Sequence, residues 1–362
     1  MNSVLQKYAR GDNDALKPAI FSLKNTRHQN AVRGLLRKGK IQRVVARYED
    51  QIKELFEIKN PKKAFLAKQG KVHKRDPKEG LWVYYPWNFS LVHILHRSGF
   101  RRVRTARNQN IITASEQKKL ERATIGIAGL NVGNPAALCL ALEGFEKMKL
   151  ADNDILSLSN LNRFRAGIHQ IGMDKTYLTA QQINEINPFT KLTIFSNGIT
   201  QENLEKFFLK PRIDVLIEEM DNLKLKIFIR EKAKKFRIPV VMVTGNGENI
   251  ILDVERYDTN QNLPILNGYL QQVIVKRIER INPQESTIQE KVLLARDFMG
   301  AKYLTERLRK SFLQVGSQLS GIPQIAEASF MRGAVLCYAV RQIVLGAHVP
   351  SGRFLVNLSD IF

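Results

Sequence analysis

"ATIGIAGLNVGNPAALCLALEGF", residues 123–145, changes its period partway through. The "ATIGIAG" part is a short apolar run that ends in glycine, as a strand buried on both faces does. "NPAALCLALEGF" (134–145) then takes helical spacing, with Pro135 at the first turn and Gly144 near the end. Between them stands "GLNVGN", residues 129–134. A glycine-bearing turn from strand to helix leaves backbone N–H groups and the positive helix end free to face phosphate. Gly129 and Gly133 are spaced G-x-x-x-G, with Asn131 where the dinucleotide fingerprint has a glycine, so a plain tight turn is the competing reading.

Outward from this turn, "KMKLAD", "KLTIFS", "IDVLIEEM", "IPVVMVTG" and "NIILDVE" are further strand candidates. The patterns at 174–187 and 222–236 are helical and lie between some of them. Apolar strands alternating with helices predict an α/β fold, a Rossmann-like and mostly parallel sheet covered by helices on both faces. Its core is expected at 123–260. Residues 261–362 add C-terminal helices, among them one or two buried ones at 322–346, and a closing strand in "PSGRFLVNL" (350–358).

Upstream, residues 1–104 read as a basic, mainly helical region, with 105–362 as the nucleotide-binding domain. "NAVRGLLRKGKIQRVVARYEDQIKELFEI" carries apolar residues at amphipathic spacing. "KQGKVHKRDPKEG" (68–80) reads as a linker, and the aromatic run "LWVYYPWNF" is expected to pack on the main domain. The net charge is +23, and residues 1–123 hold 28 Lys and Arg against 10 Asp and Glu. A field of that kind attracts polyanions, or else simply keeps a solvated face soluble. The longest apolar stretches, such as "AVLCYAV" (334–340), fall below the roughly 18 residues a membrane span needs. The N-terminus lacks the apolar run of a secretory signal, so a cytoplasmic protein without a membrane partner is expected. Cys139 and Cys337 sit in apolar helical surroundings and read as small buried hydrophobes.

"LADNDILSLSNLNRFRAG" (150–167) groups an acid with phosphate-type ligands. Asp152 closes the second strand, where an acid meets ribose hydroxyls. Asn160 can donate to a phosphate, while Arg163 and Lys175, which opens the next helix, can neutralise a triphosphate. Asp221, in "EEMDN" at the end of the fourth strand, points into the same crevice and suits Mg²⁺. His93 and His96 share a helix-like spacing but lack a nearby acid or cysteine, so packing is the expected role. Ser157 and Ser159 have no His/Asp partner.

"ADNDILSLSNLNR", "GMDK", "INP" and "MDN", in that order behind a glycine turn, resemble the ThiF/MoeB adenylyltransferases, bacterial relatives of ubiquitin-activating enzymes. The similarity covers roughly 105–260 and, more loosely, the chain to 358. "YPWNFSLVHIL" and "RNQNIIT" resemble a bacterial subgroup in which this domain can be fused to a nitroreductase-like one. The resemblance implies ATP-dependent activation of a carboxylate on a peptide, small protein or small molecule, as an acyl-adenylate with release of pyrophosphate. ATP and Mg²⁺ are the implied cofactors. Gly129, Asn131, Gly133, Asp152, Asp154, Asn160, Arg163, Lys175, Asp221 and Asn222 would bind the nucleotide, with Arg163, Lys175 and Asp221 catalytic and Asp221 the metal ligand. A homodimer is implied, as is a variant in which the basic region brings tRNA or another polyanion.

Four departures from the family pattern stand out. "RNQNIIT" gives Asn110 where an arginine often reaches the partner's site, leaving Arg104 or Arg107. Lys226 stands where an arginine is common, five residues after Asp221. No cysteine lies in 221–260, so a thioester step is not expected, and paired C-x-x-C zinc motifs are absent. A nucleotide-binding scaffold without turnover and an NAD-dependent oxidoreductase are the alternatives, the latter without a residue suited to hydride transfer.

Overall fold

The computed structural model describes residues 17–62, 78–282 and 285–361, so most of the linker-like stretch at 68–80 lies outside the described residues. The chain divides into two compact units. One takes the residues up to Gln117 together with Ala180–Thr190, and the other takes Lys118–Thr179 with Lys191–Phe362.

The first unit contains β1 (Ala19–Phe21), α1 (Thr26–Arg37), β2 (Arg43–Val45), α2 (Tyr48–Lys59), β3 (Leu81–Tyr85), β4 (Ser90–Ile94) and α3 (Arg97–Arg104). Its centre is a four-stranded sheet in the order β1-β3-β4-β2, an element the sequence did not announce beside the helices. The aromatic run supplies this sheet. Trp82 and Tyr84 point to one face with Val32 and Leu91, and Val83 and Tyr85 to the other with Ile94, Phe100 and Phe189. Such alternation is the period-2 pattern of a strand with two covered faces. His93 is stacked between Tyr48 and Trp82, at 4.3 Å from each ring, and its Nε2 bonds the Glu79 carbonyl at 2.6 Å. That is the packing role expected of it.

α4 (Ala114–Arg122) leads into the second unit. Its elements are β5 (Thr124–Ala128), α5 (Leu130–Glu143), β6 (Lys147–Ala151), the first turn of α6 (Lys175–Ile186, which from Ala180 on belongs to the first unit), β7 (Lys191–Phe195), α7 (Leu204–Leu209), β8 (Val215–Glu218), α8 (Leu223–Lys235), β9 (Val240–Asn246) and β10 (Asn249–Glu255). The remainder is α9 (Gln272–Arg280), α10 (Ile288–Met299), α11 (Glu306–Gln314), α12 (Ala326–Leu345) and β11 (Gly352–Val356). The seven-stranded sheet runs β11-β10-β9-β8-β5-β6-β7, with β5 to β9 parallel and the last two strands antiparallel. This is the Rossmann-like sheet expected. Phe207, Phe208, Ile229 and Tyr257 belong to one apolar cluster against the sheet, and α12 packs on α5, β8, β9 and β10.

Two local readings change. α5 starts at Leu130 rather than Asn134, which leaves Pro135 inside the helix. Proline has no N–H, so the Asn131 carbonyl loses its helical partner. α12, with 20 residues and a mean hydropathy of 1.2 in its apolar window, is long and apolar enough to cross a membrane, although the sequence reading found no such segment. Half of that window is buried in the protein, as in a core helix.

Candidate functional site

β5 pairs with β6 on one side and β8 on the other, so the strand order reverses at the carboxyl ends of β5 and β8. A crevice opens at such a switch point. Gly129 sits there with φ +90°, its N–H bonded to the Ala151 carbonyl at 2.8 Å. A Cβ at this position would lie 2.3 Å from the Glu219 carbonyl oxygen, so no other residue fits. Gly133 does different work. A Cβ there would stand 2.7 Å from Ile127 Cγ2, which makes it the close helix-on-strand contact rather than an open cradle for phosphate.

Asp152 follows β6. Its carboxylate accepts the Leu130 N–H at 2.5 Å and the Asp154 N–H at 2.7 Å. It thereby ties the start of α5 to the second strand. Burial raises its pKa, against the pull of those two amides and of Lys175. Asp154 accepts Lys175 Nζ at 2.9 Å, and the lysine side chain is buried while the aspartate is open. Asn160 is buried, and its Oδ1 accepts the Ser157 N–H at 3.1 Å, which holds the 157–160 turn. Arg163 Nη1 donates to the Ser159 carbonyl and to Asn162 Oδ1, and its Nε is buried without a hydrogen-bond partner among the described residues.

Asp221 is exposed just beyond β8, and its carboxylate has no hydrogen-bond partner among the described residues. Burial lowers Arg163, while the Asp221 charge acts in the other direction. Arg332 of α12 is likewise lowered by burial, with Glu219 and Asp221 opposing. Asn222 caps α8, its Oδ1 accepting the Leu225 N–H at 3.1 Å. Lys226 does not project freely. It is buried and bonds both oxygens of Glu218 at 3.1 Å.

Two adjoining cavities meet at this crevice. One, of about 380 Å³, is lined by Gly129, Asn131, Asp152, Asp154, Asp221 and Asn222 among others. The second, of about 150 Å³, shares Asn131, Glu219, Met220 and Asp221 with the first and adds Lys226, Gly245, Phe298 and Arg332. Asn131 Oδ1 is buried at the junction without a hydrogen-bond partner among the described residues. The structure thus brings six of the ten expected nucleotide residues to one cavity. Gly133, Asn160, Arg163 and Lys175 do not line it. A cavity of about 520 Å³ in the first unit holds one carboxylate, Glu185, already bonded by Trp87 and Asn88, and offers no comparable chemistry.

Sequence reasoning missed Glu219, Asn197, Gly198 and Arg332. The "SNG" turn directly after β7 carried a signal for the middle two. Nothing local marked Arg332, which arrives from a helix far along the chain. Glu219 is pushed up to about 8, chiefly by burial, with Lys226 and the Val243 N–H pulling it down. Since this folded value exceeds the ordinary 4.5, its stabilising contribution is complete below the ordinary value and is lost as pH rises through about 8. Glu219→Gln is expected to flatten the fall in unfolding midpoint between pH values of about 5 and 9. Parallel pH curves for the two proteins would contradict this.

Residues 104–249 match the ThiF family. The chain is 36% identical over 279 residues to the uncharacterized protein MT1398 of Mycobacterium tuberculosis, an alignment covering 77% of this chain and 38% of that protein. Against the tRNA threonylcarbamoyladenosine dehydratase of Bacillus subtilis it is 26% identical over 192 residues, covering 51% of this chain and 75% of the relative. Against the sulfur carrier protein ThiS adenylyltransferase of Escherichia coli it is 30% identical over 138 residues, covering 38% and 54%. This chain therefore spans well under half the length of the mycobacterial relative. The glycine turn and the lining of the larger cavity lie within the residues that match the ThiF family, whereas Phe298 and Arg332 of the second cavity lie beyond them.

Proposed function

We propose that the chain is an ATP-dependent adenylyltransferase that activates a carboxylate. The observation that carries this reading is the pair of adjoining cavities, one shaped by a glycine turn and Asp152, the other holding Arg332, with Asp221 at their shared wall. The larger would take the nucleoside, with Asp152 and Asp154 toward the ribose and the amides of the Gly129 turn toward the α-phosphate. Arg163 and Lys175, set back from the cavity, would supply positive potential to the phosphates, and Asn160 would hold the turn that carries Arg163. Arg332 would orient the incoming carboxylate. The substrate oxygen attacks the α-phosphorus, the bond to the β-phosphate oxygen breaks, and pyrophosphate leaves.

An exposed carboxylate without a protein partner fits Mg²⁺, which keeps most of its waters and takes few protein ligands. Asp221 would hold it. Held there, it would supply charge neutralisation to the phosphates. With no cysteine in 221–260, the acyl-adenylate is released or transferred without a thioester. In a cytoplasmic homodimer, the exposed Arg107 is the arginine left to reach a partner's cavity.

The similarity to the ThiS adenylyltransferase favours a carboxylate on a small protein or peptide. A tRNA-borne carboxylate is the second reading, favoured by the tRNA dehydratase similarity and the basic N-terminal third. The test is exchange of labelled pyrophosphate into ATP with peptide, small-protein and tRNA fractions of a cell extract. The reading expects exchange that depends on one fraction. Tight ATP binding with no exchange in any fraction would make the protein a scaffold, and a thermal-shift preference for NAD over ATP would make it an oxidoreductase.

A further inference from the structure

We propose that Cys139 and Cys337 form a reversible disulfide that staples α5 to α12. The two helices run past each other in the same direction in three matched rungs, each four residues on from the last. In the first, Gly333 meets Pro135 so closely that a Cβ on the glycine would lie 2.5 Å from Pro135 Cβ and 2.8 Å from the Pro135 carbonyl carbon. In the second, Cys337 and Cys139 take the matching positions, four residues on from Gly333 and Pro135 in their helices. In the third, Arg341 Nε stands 3.0 Å from Glu143 Oε2. A disulfide needs Cα atoms about 4.4–6.8 Å apart. The side-chain-free contact one turn earlier brings the backbones to that order of separation, and the ion pair one turn later holds the register.

The pair is also asymmetric in the way stepwise oxidation requires. Cys139 is part-exposed and Cys337 is buried. The Cys337 thiol brings the Cys139 thiol down to about 7, with help from Arg165 and against burial and Glu143. Cys139 and burial push Cys337 up. With hydrogen peroxide as oxidant, the Cys139 thiolate attacks one peroxide oxygen, the O–O bond breaks, and hydroxide leaves as water after taking up a proton. The resulting sulfenic acid is attacked at sulfur by Cys337, which gives up its proton as the S–O bond breaks and a second water leaves. Two thiols and one peroxide thus become one disulfide and two waters. The bridge would join the helix that opens at the glycine turn to the helix that carries Arg332.

The full chain is treated with hydrogen peroxide, blocked with N-ethylmaleimide under denaturing conditions and mapped by mass spectrometry. The expected product is one intramolecular Cys139–Cys337 linked peptide, two hydrogens lighter than its parts, that dithiothreitol reverses. Cys337→Ser should instead leave Cys139 as a sulfenic acid that dimedone traps. Wild-type protein that keeps two alkylatable thiols, or that links only through Cys139 between chains, would overturn the proposal without recourse to a variant.

Discussion

Asp221→Asn is expected to abolish the magnesium-dependent part of ATP binding and to cut pyrophosphate exchange by about 10²-fold or more, while leaving the unfolding midpoint of the free protein unchanged. The separation of effects follows from the surroundings of the side chain. Its carboxylate is exposed and unpaired, so the fold loses no hydrogen bond when the charge goes. Two buried-side arginines feel that charge, Arg163 and Arg332, so the loss falls on the potential of the cavity mouth. Thermal shift with ATP in magnesium and in chelator reads the first effect before any carboxylate substrate is known. Wild-type shifts in both conditions, combined with undiminished exchange, would remove Asp221 from the reaction.

The elements of the second unit were legible because its strands are short, mostly apolar runs and its crossover helices keep their own period. β5 to β10 fall on the expected segments, as do α6 and α8. The first unit was harder because β1 and β2 have three residues each, too few for alternation to register. β3 was visible only as an aromatic excess, since both of its faces are covered. At the site, residue type and position pointed to Asp152, Asp154 and Asp221, all of which line the larger cavity. Type alone could not tell which side chains were already engaged. Asn160 holds a turn, Lys175 is tied to Asp154, and Gly133 answers to Ile127. Lys226 stands where an arginine is common in the family the sequence resembles, yet it serves a buried acid. Arg332 depends on a tertiary contact that no local pattern encodes.

That buried acid belongs to a charged network whose disruption should be the largest stability effect in the second unit. Arg230, with no exposed surface, donates to Glu218 through Nη1 and to Glu255 through Nε at 2.8 Å. Burial alone would raise Glu218, but Lys226 and Arg230 outweigh it and hold the carboxyl below its usual range. Glu255 also accepts from the Tyr257 hydroxyl and from the Leu266 N–H at 2.6 Å, which fastens β10 to the segment after it. Arg230→Met keeps most of the volume while leaving Glu218 with Lys226 alone and Glu255 with only the Tyr257 hydroxyl and the Leu266 N–H, and is expected to cost about 3–5 kcal/mol in denaturant titration. These carboxyls would then have folded pKa values above their unfolded ones. The deficit should therefore be full above those folded values and shrink as acid protonates them. A simple packing defect has no such dependence. A loss under about 1 kcal/mol, or one of the same size at every pH, would mean that the network contributes shape rather than charge balance.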